Sequence, residues 1–168
     1  MKKFFAMILI AILALSATAF AASYTADDIC FDYDETAFEV PFEDRTDDET
    51  TVVLSGTDEA WGPTYIRFYL DDLEDGEALP TMDDFAEMPD AEVTQGEWND
   101  FEDVFMYTLE NDDGTSQYFF IAPVLDEDGE ADELLTVEIG VSEIEDEDAL
   151  QLRDDLISAV IDSMVIDD

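Results

Sequence analysis

Three residue types that enzymes commonly use are absent or nearly absent from this chain. It has no histidine and one cysteine, and its only lysines, Lys2 and Lys3, lie at the extreme N-terminus. Without histidine there is no Ser-His-Asp or Cys-His catalytic system, and the usual zinc ligand sets are excluded. Without a lysine in the body of the chain, Schiff-base chemistry, a Ser-Lys dyad and a P-loop lysine are excluded as well.

Glycine and cysteine are too sparse for two common cofactor motifs. The seven glycines form no G-x-G-x-x-G fingerprint, and a single cysteine forms no C-x-x-C redox pair. These absences predict a protein that is not an enzyme and that holds no cofactor. No catalytic, cofactor-binding or metal-binding residue is assigned from the sequence.

The N-terminus has the parts of a secretory signal peptide. Two lysines precede an apolar run from Phe4 to Leu15, and Ala19-Phe20-Ala21 fits the A-x-A cleavage pattern. The alternative is an uncleaved anchor, but a spanning helix needs about 20 mainly apolar residues. The sequence predicts a helical signal peptide over 1–21, cleavage near Ala21-Ala22, and one secreted or extracytoplasmic domain over 22–168.

Negative charge dominates the predicted mature chain. All 47 acidic residues lie beyond residue 21 with only three basic ones, so loss of both lysines changes the formal charge from −42 to −44. Such a field repels nucleic acid and anionic membrane surfaces and attracts cations and basic proteins. It also destabilises the compact state by self-repulsion, which salt screens. The apolar content of 47% nevertheless predicts a folded domain.

Apolar periodicity predicts several β-strands in this domain. Residues 135–141 alternate between apolar and polar, as in a strand with one buried face. The run over 117–125 is almost entirely apolar, which is typical of a strand covered on both faces, and Pro123 is expected to end or bulge it. The other predicted strands are Ile29–Tyr33, Ala37–Val40, Thr51–Ser55, Tyr65–Leu70, Val93–Trp98 and Val104–Leu109.

Two segments have helical patterns. Residues 79–88 predict a short helix with Thr81 as its cap, and residues 143–165 predict an amphipathic C-terminal helix with Ser142 and Glu145 as a capping box. The apolar face of the second helix is Leu152, Leu156, Val160 and Met164, broadened by Ala149, Ile157, Ile161 and Val165. The order of elements predicts an α+β domain, a mostly antiparallel sheet with helices packed on it.

The acidic segment DEDGEADE raises the hypothesis of a calcium site. With Gly129 at the sixth position of the EF-hand template, Val124 and Leu135 occupy the two defining ends, so the motif fails. DDLEDGEALPTM and the segment around Gly114 fail as well. A looser site stays open because calcium accepts six to eight oxygen ligands. The favoured interpretation is a solvated turn between two strands of a hairpin.

Carboxylate chemistry is the enzymatic route that the composition leaves open. Glycoside hydrolysis needs two acids about 5–9.5 Å apart, but with 47 acids a suitable pair discriminates nothing. Asp100, Glu102 and Asp103, beside Trp98 and Phe101, resemble a sugar-stacking cleft. The favoured interpretation is a polar turn after a core tryptophan.

Three isolated residues have local interpretations. Cys30 either pairs between chains, remains a free thiol, or serves as a small apolar residue of a strand. Trp61, in EAWGPTY, either caps the core or contacts a ligand. Ser55 has no basic partner in the sequence and is expected at a strand end.

The order of elements over 29–166 resembles a known family. The carrying segments are Phe38-Glu39-Val40-Pro41, TYIRFYL, GEALPTMDDFAEM, the hairpin MYTLENDDGTSQYFFIAPVLDEDG and the final LISAVIDSMVID. The chain is similar in this respect to small secreted bacterial proteins with the PsbP-like α/β/α sandwich. The resemblance implies a domain that binds or stabilises partner proteins without catalysis, and it assigns no site residue.

The sequence therefore predicts an exported, non-catalytic domain that binds a cationic protein or a cell-envelope component. One alternative is a binding module that responds to divalent cations such as calcium. Another is a carboxylate-dependent glycan hydrolase. Nucleic acid and anionic membrane surfaces are not expected as partners, and weak binding of divalent cations is left open.

Overall fold

Strands dominate the part of the chain that the computed structural model describes, which is residues 21–26, 29–46, 49–73, 78–85, 91, 93–98, 101–126 and 129–166. The strands are β1 Ala21–Ala26, β2 Ile29–Asp34, β3 Phe38–Arg45, β4 Glu49–Gly56, β5 Tyr65–Asp72, β6 Thr94–Trp98, β7 Phe101–Glu110, β8 Thr115–Leu125, β9 Ala131–Ser142 and β10 Val165–Ile166. The helices are α1 Met82–Phe85 and α2 Glu147–Asp162, and Glu59–Trp61 form a 3-10 turn. The predicted signal peptide lies outside the described residues, except for Ala21.

The described strands form two antiparallel sheets. The large sheet has the order β3-β4-β5-β9-β8-β7-β6, and the small sheet has the order β1-β2-β10. In the large sheet β9 lies between β5 and β8, so a strand from late in the chain occupies the centre. The last strand, β10, returns to β2 and thereby ties the C-terminal segment to the N-terminal one.

Period-two alternation places the core on one face of the large sheet, which we call the inner face. There Phe68 of β5 lies opposite Val137 of β9, and both are fully buried. Phe31 of β2 stacks on Phe68 with ring centroids 4.9 Å apart, and Ile157 and Ile161 of α2 join the same apolar cluster. The small sheet and α2 therefore cover the inner face, where each buried side chain of this size contributes about 1.5–3 kcal/mol.

The predicted α+β class, with helices packed on a sheet, is wrong. The described chain is mostly antiparallel β-sheet with two helices, one of which has four described residues. Of the helix predicted over 79–88, the described residues show Met82–Phe85 as helical, and residues 86–90 lie outside the described part. Val165 belongs to β10 instead of a helix. Each of the eight predicted strands is present. The physical reason for the error is that β2 supplies an apolar face that covers the large sheet where helices were expected.

Helix α1 lies on the opposite face of the large sheet, which we call the outer face. Phe85 packs there against Phe105 and Tyr107, with ring centroids 5.0 and 6.0 Å apart. The Thr81 amide and hydroxyl both donate to Asp84 Oδ2 at 2.7 Å. This is the carboxylate half of a capping box, with the predicted cap residue as the donor. These two hydrogen bonds lower the pKa of Asp84.

Pro123 does not end β8 or bulge it at its own position. It stays in register with Leu134 of β9, and the irregularity follows between Val124 and Leu125. The proline is tolerated because the β7–β8 ladder begins only at Phe105 and Ile121, so no partner on that side needs its missing N–H. Upstream of this ladder the backbone of Asp103 has a φ of 57°, which breaks regular pairing.

Helix α2 begins at a different cap from the one predicted. Asp146 is the N-cap, and its Oδ1 accepts a hydrogen bond from the Ala149 amide at 3.0 Å. Ser142, predicted as the cap, is the last residue of β9, and its hydroxyl donates to the Pro63 carbonyl at 3.0 Å. Both residues are good caps, but Ser142 still belongs to β9, so the helix begins later in the chain, after Asp146.

The buried face of α2 is also rotated from the prediction. Leu152, expected inside, is 52% exposed, while its neighbour Arg153 is 4% exposed. The Arg153 guanidinium donates from Nη1 to the Ser142 carbonyl at 2.6 Å and pairs through Nη2 with Asp154 at 2.9 Å. Arg153 therefore anchors the helix to the end of β9, an arrangement that apolar periodicity does not detect.

Candidate functional site

Buried charge is rare in the described chain and marks the candidate site. Glu138 of β9 is its one buried carboxylate, with 4% of the residue exposed, and every other Asp or Glu whose burial is described is exposed or half-buried. Arg67 of β5 lies directly opposite Glu138. Both side chains alternate with core residues, so they lie on the outer face.

The Glu138 carboxylate accepts hydrogen bonds from three side chains of the two flanking strands. Tyr65 Oη and Gln117 Nε2 donate to Oε1 at 2.5 and 2.8 Å. Arg67 Nη1 donates to Oε2 at 2.8 Å. Gln117 Nε2 also donates to Tyr65 Oη at 2.9 Å. We call these four residues the outer-face network.

Burial and the charge of Glu138 shift three pKa values around this network. Desolvation and then the hydrogen bond to Glu138 raise the pKa of Tyr65. Desolvation, followed by repulsion from Glu138, raises the pKa of Tyr107. For Arg67, desolvation is the largest cause and lowers the pKa, but the hydrogen bond to Tyr69 and attraction to Glu138 outweigh it, so the pKa is raised. At neutral pH both phenols are therefore neutral and Arg67 is charged.

Aromatic rings surround the ion pair on the outer face. The Arg67 guanidinium carbon lies 5.2 Å from the ring centroid of Tyr65 and 5.6 Å from that of Tyr69, within cation–π range. Tyr107 and Phe119 stack beside them with centroids 4.6 Å apart. All of these rings are half-buried, so the outer face presents an aromatic surface around an internally satisfied ion pair.

Gly140 makes room for the Tyr65 ring. A Cβ atom on Gly140 would lie 2.2 Å from Tyr65 Cε1 and 2.3 Å from Cζ. Gly140→Ala should therefore tilt the ring away from Glu138 and reduce the free energy of unfolding by about 1–2 kcal/mol. It should also lower the pKa of Tyr65 toward its ordinary value, because the phenol loses its burial. Urea unfolding and an ultraviolet pH titration measure the two effects.

The matched control for this substitution removes the ring. In a Tyr65→Ala background, the Cβ atom added at residue 140 has no ring to displace, and the substitution should cost little or nothing. Equal destabilisation by Gly140→Ala in both backgrounds would contradict the close approach of the ring.

The chemistry of the outer-face network is limited by its composition. Both oxygens of Glu138 are already hydrogen-bonded. Its neighbours in register on the same face are Arg67 of β5 and Phe119 of β8, which supply no second carboxylate. Around Glu138 the described strands therefore do not form the pair of acids that glycoside hydrolysis uses.

Of the residues predicted as a sugar-stacking cleft, Trp98 and Phe101 stack on each other with ring centroids 6.4 Å apart. Trp98 stacks on Phe120 with centroids 4.3 Å apart and packs against the core cluster. Glu102 and Asp103 are exposed, and the Asp103 carboxylate accepts a hydrogen bond from a neighbouring strand, Gln95 Nε2, at 3.3 Å. Asp100 lies outside the described residues.

The three isolated residues also have defined places. Trp61 is 2% exposed and packs on Phe38, and its buried Nε1 has no hydrogen-bond partner in the described chain. Ser55 is half-buried near the end of β4. Cys30 is a half-buried free thiol in β2, 3.6 Å from the Thr25 hydroxyl.

Backbone hydrogen bonds join the described ends of the acidic segment between β8 and β9. The Asp126 and Glu130 backbones are joined at 2.8 Å, and Asp126 Oδ1 accepts a hydrogen bond from the Glu130 amide at 2.9 Å. Gly129 has a φ of 81°, which suits a residue without a side chain. Residues 127–128 lie outside the described part. Within the described ranges, no three Cys, Asp or Glu side chains converge in a way that would hold a metal ion.

Comparison of the chain with protein-family models, curated proteins and solved structures finds no match. The resemblance to PsbP-like proteins therefore stays a prediction. Among the residues that the structure describes, no helix has the length and apolar character needed to cross a membrane.

Sequence reasoning missed the outer-face network. A signal was available, since Glu138 interrupts an apolar strand and Arg67 lies between two tyrosines in YIRFY. The pairing itself was not readable, because the two residues are 71 positions apart and meet only when β5 pairs with β9.

Proposed function

We propose that this protein is an exported, non-catalytic domain that acts by binding a cationic partner, either a basic protein or a positively charged component of the cell envelope. The observation that carries the proposal is where the fold places its charged side chains: nearly all described acids at the surface and two arginines in internal contacts. The guanidinium groups of Arg67 and Arg153 are committed to internal contacts, whereas every acid of described burial except Glu138 reaches the solvent. Of the arginine side chains that the structure describes, Arg67 is therefore paired with Glu138 and Arg153 is buried, so neither is free to compensate the exposed acids.

A surface of this kind recognises its partner through its electrostatic field. Complementary charge raises association rates by about 10–1,000-fold, and the effect falls steeply with ionic strength. The outer-face network has its single ion pair satisfied internally, so it adds no free cation to the surface. The half-buried aromatic rings around it offer apolar contact to the same partner.

The test is calorimetric titration of the purified protein with a lysine-rich peptide of about 12 residues. We expect a Kd in the low micromolar range at about 50 mM NaCl and a loss of at least tenfold at about 300 mM, because counterions screen the attraction. A glutamate-rich peptide of the same length is the negative control, and a polyglutamate chain of equal net charge measures attraction due to charge alone. If the protein bound the lysine-rich peptide no more tightly than polyglutamate does, the folded surface would add nothing beyond charge, and the proposal would be contradicted.

The same purified protein can be used to test the two alternatives from the sequence, a calcium-responsive module and a carboxylate-dependent hydrolase. A calcium-responsive module predicts heat and a raised Tm on addition of calcium. A carboxylate-dependent hydrolase predicts glycan turnover that a single Asp→Asn or Glu→Gln substitution abolishes. Turnover of this kind would replace the binding proposal.

A further inference from the structure

A cleft opens between the β7–β8 hairpin and the start of α2. It has a volume of about 490 Å³. Its walls come from the hairpin turn, from the end of β9 with the following link, and from the first turns of α2. Two of its lining residues, Tyr118 and Val141, lie on the inner face of the large sheet.

The floor and one wall of the cleft are apolar. Val141, Ile144 and Leu150 form the floor, and all three are buried or half-buried. Tyr118 forms a wall and is 40% exposed, and it has no ring partner in the described chain. Tyr118 therefore presents an exposed ring that a ligand can contact.

The rim of the cleft is negative. Glu110 and Glu143 are exposed, and within the described chain neither carboxylate has a hydrogen-bond or ion-pair partner. The Glu143 carboxylate lies beside the hairpin turn, 4.0 Å from the position of a Cβ atom on Gly114. On that turn, hydrogen bonds from the Thr115 hydroxyl and amide lower the pKa of Asp113, so this acid stays ionised.

The one cation in the walls does not neutralise this rim. Arg153 is buried, and its guanidinium is engaged by the Ser142 carbonyl and by Asp154. An anionic ligand would meet two unpaired carboxylates at the entrance. A second copy of the chain would bring the same excess of acid and only three arginines. Charge complementarity therefore selects a cationic occupant from another molecule.

We propose that this cleft binds a lysine or arginine side chain of the partner protein. The charged end lies against the Tyr118 ring and between Glu110 and Glu143, while the aliphatic stem lies on the apolar floor. This inference rests on the proposed function and names the place where that function has its specific contact. It makes the cleft a site for one side chain, in contrast to diffuse attraction by the whole surface.

The experiment compares two pairs of substitutions with identical changes in charge. Glu110→Gln with Glu143→Gln alters the cleft, and Glu97→Gln with Glu102→Gln alters exposed acids elsewhere on the large sheet. Glu102 and Glu110 are eight residues apart in one strand, or about 26 Å at ~3.3 Å per residue. We expect the first pair to weaken binding of the lysine-rich peptide about tenfold and the second pair about twofold at most.

A second comparison tests the ring. Tyr118→Phe keeps the aromatic face and should leave the affinity within about twofold, whereas Tyr118→Leu should weaken binding about three- to fivefold. All four variants alter solvent-exposed groups, and unchanged Tm values verify that they fold. Equal weakening by both glutamate pairs would overturn the cleft as the site while the proposed function stands. Absence of any peptide binding by the unaltered protein would overturn both.

Discussion

Raising the NaCl concentration from about 10 mM to about 500 mM should raise the Tm of this protein by on the order of 10 °C. The cause is self-repulsion among carboxylates, because residues 22–168 carry 47 acidic residues against three arginines. At the low concentration the Debye length is about 30 Å, twice the radius of gyration of roughly 15 Å for a domain of this size. Carboxylates on opposite sides of the molecule then repel one another.

At about 500 mM NaCl the Debye length falls to roughly 4 Å, so only adjacent charges still interact. The expected gain corresponds to about 3–4 kcal/mol, since 1 kcal/mol shifts Tm by about 2–4 °C in domains of this length. Thermal unfolding followed by circular dichroism gives the Tm series.

The control for this prediction separates screening from specific salt effects. Screening depends on ionic strength, so NaCl and KCl at the same concentration should give the same Tm. A Tm that stays flat between the two NaCl concentrations would show that self-repulsion contributes little to stability. A continued steep rise beyond about 1 M would indicate exclusion of salt from the surface instead.

Glu138→Gln should reduce the free energy of unfolding by about 2–3 kcal/mol, even though it removes one unit of the excess negative charge. Three donors converge on this carboxylate, from Tyr65, Gln117 and Arg67. A glutamine offers one acceptor oxygen and places an NH₂ group against the remaining donors. The expected loss is smaller than the 3–5 kcal/mol typical of a fully buried pair, because the Arg67 side chain is 34% exposed.

The matched control for Glu138→Gln is Glu39→Gln. Glu39 is an exposed residue of β3, and the substitution changes the formal charge by the same amount. It should be neutral or slightly stabilising, whereas Glu138→Gln should be destabilising. Urea unfolding at about 0.5 M NaCl keeps the global repulsion screened during the measurement. Equal stability of the two variants would mean that Glu138 is not held in the network described.

The strands were predictable because their information is local. A strand with one buried face shows a period of two in its own residues, so the segment over 135–141 was readable without knowing its neighbours. The boundary between β9 and α2 was harder to predict from the sequence, because Ser142 and Asp146 are both suitable caps for α2. The choice depends on how far β9 continues to pair with β8, where Ser142 lies opposite Thr115.

The helix face shows a different limit of sequence reasoning. Apolar spacing placed Leu152 inside and ignored Arg153, yet Arg153 is the buried residue of the two. The carbonyl of Ser142 at the end of β9 accepts its hydrogen bond, and this acceptor is part of the sheet and not of the helix. Periodicity within one element cannot report an acceptor that another element supplies.

The sequence by itself determined the excess of acid, the residue types that catalysis would lack, and the positions of eight strands, because composition and short-range alternation are properties of the chain alone. The tertiary structure decided that a second sheet covers the core, that Glu138 meets Arg67, and that Tyr118 lines an open cleft with an acidic rim. These features join segments that are far apart in sequence. Their contacts form only after strand order and register are set, and no local pattern encodes that choice.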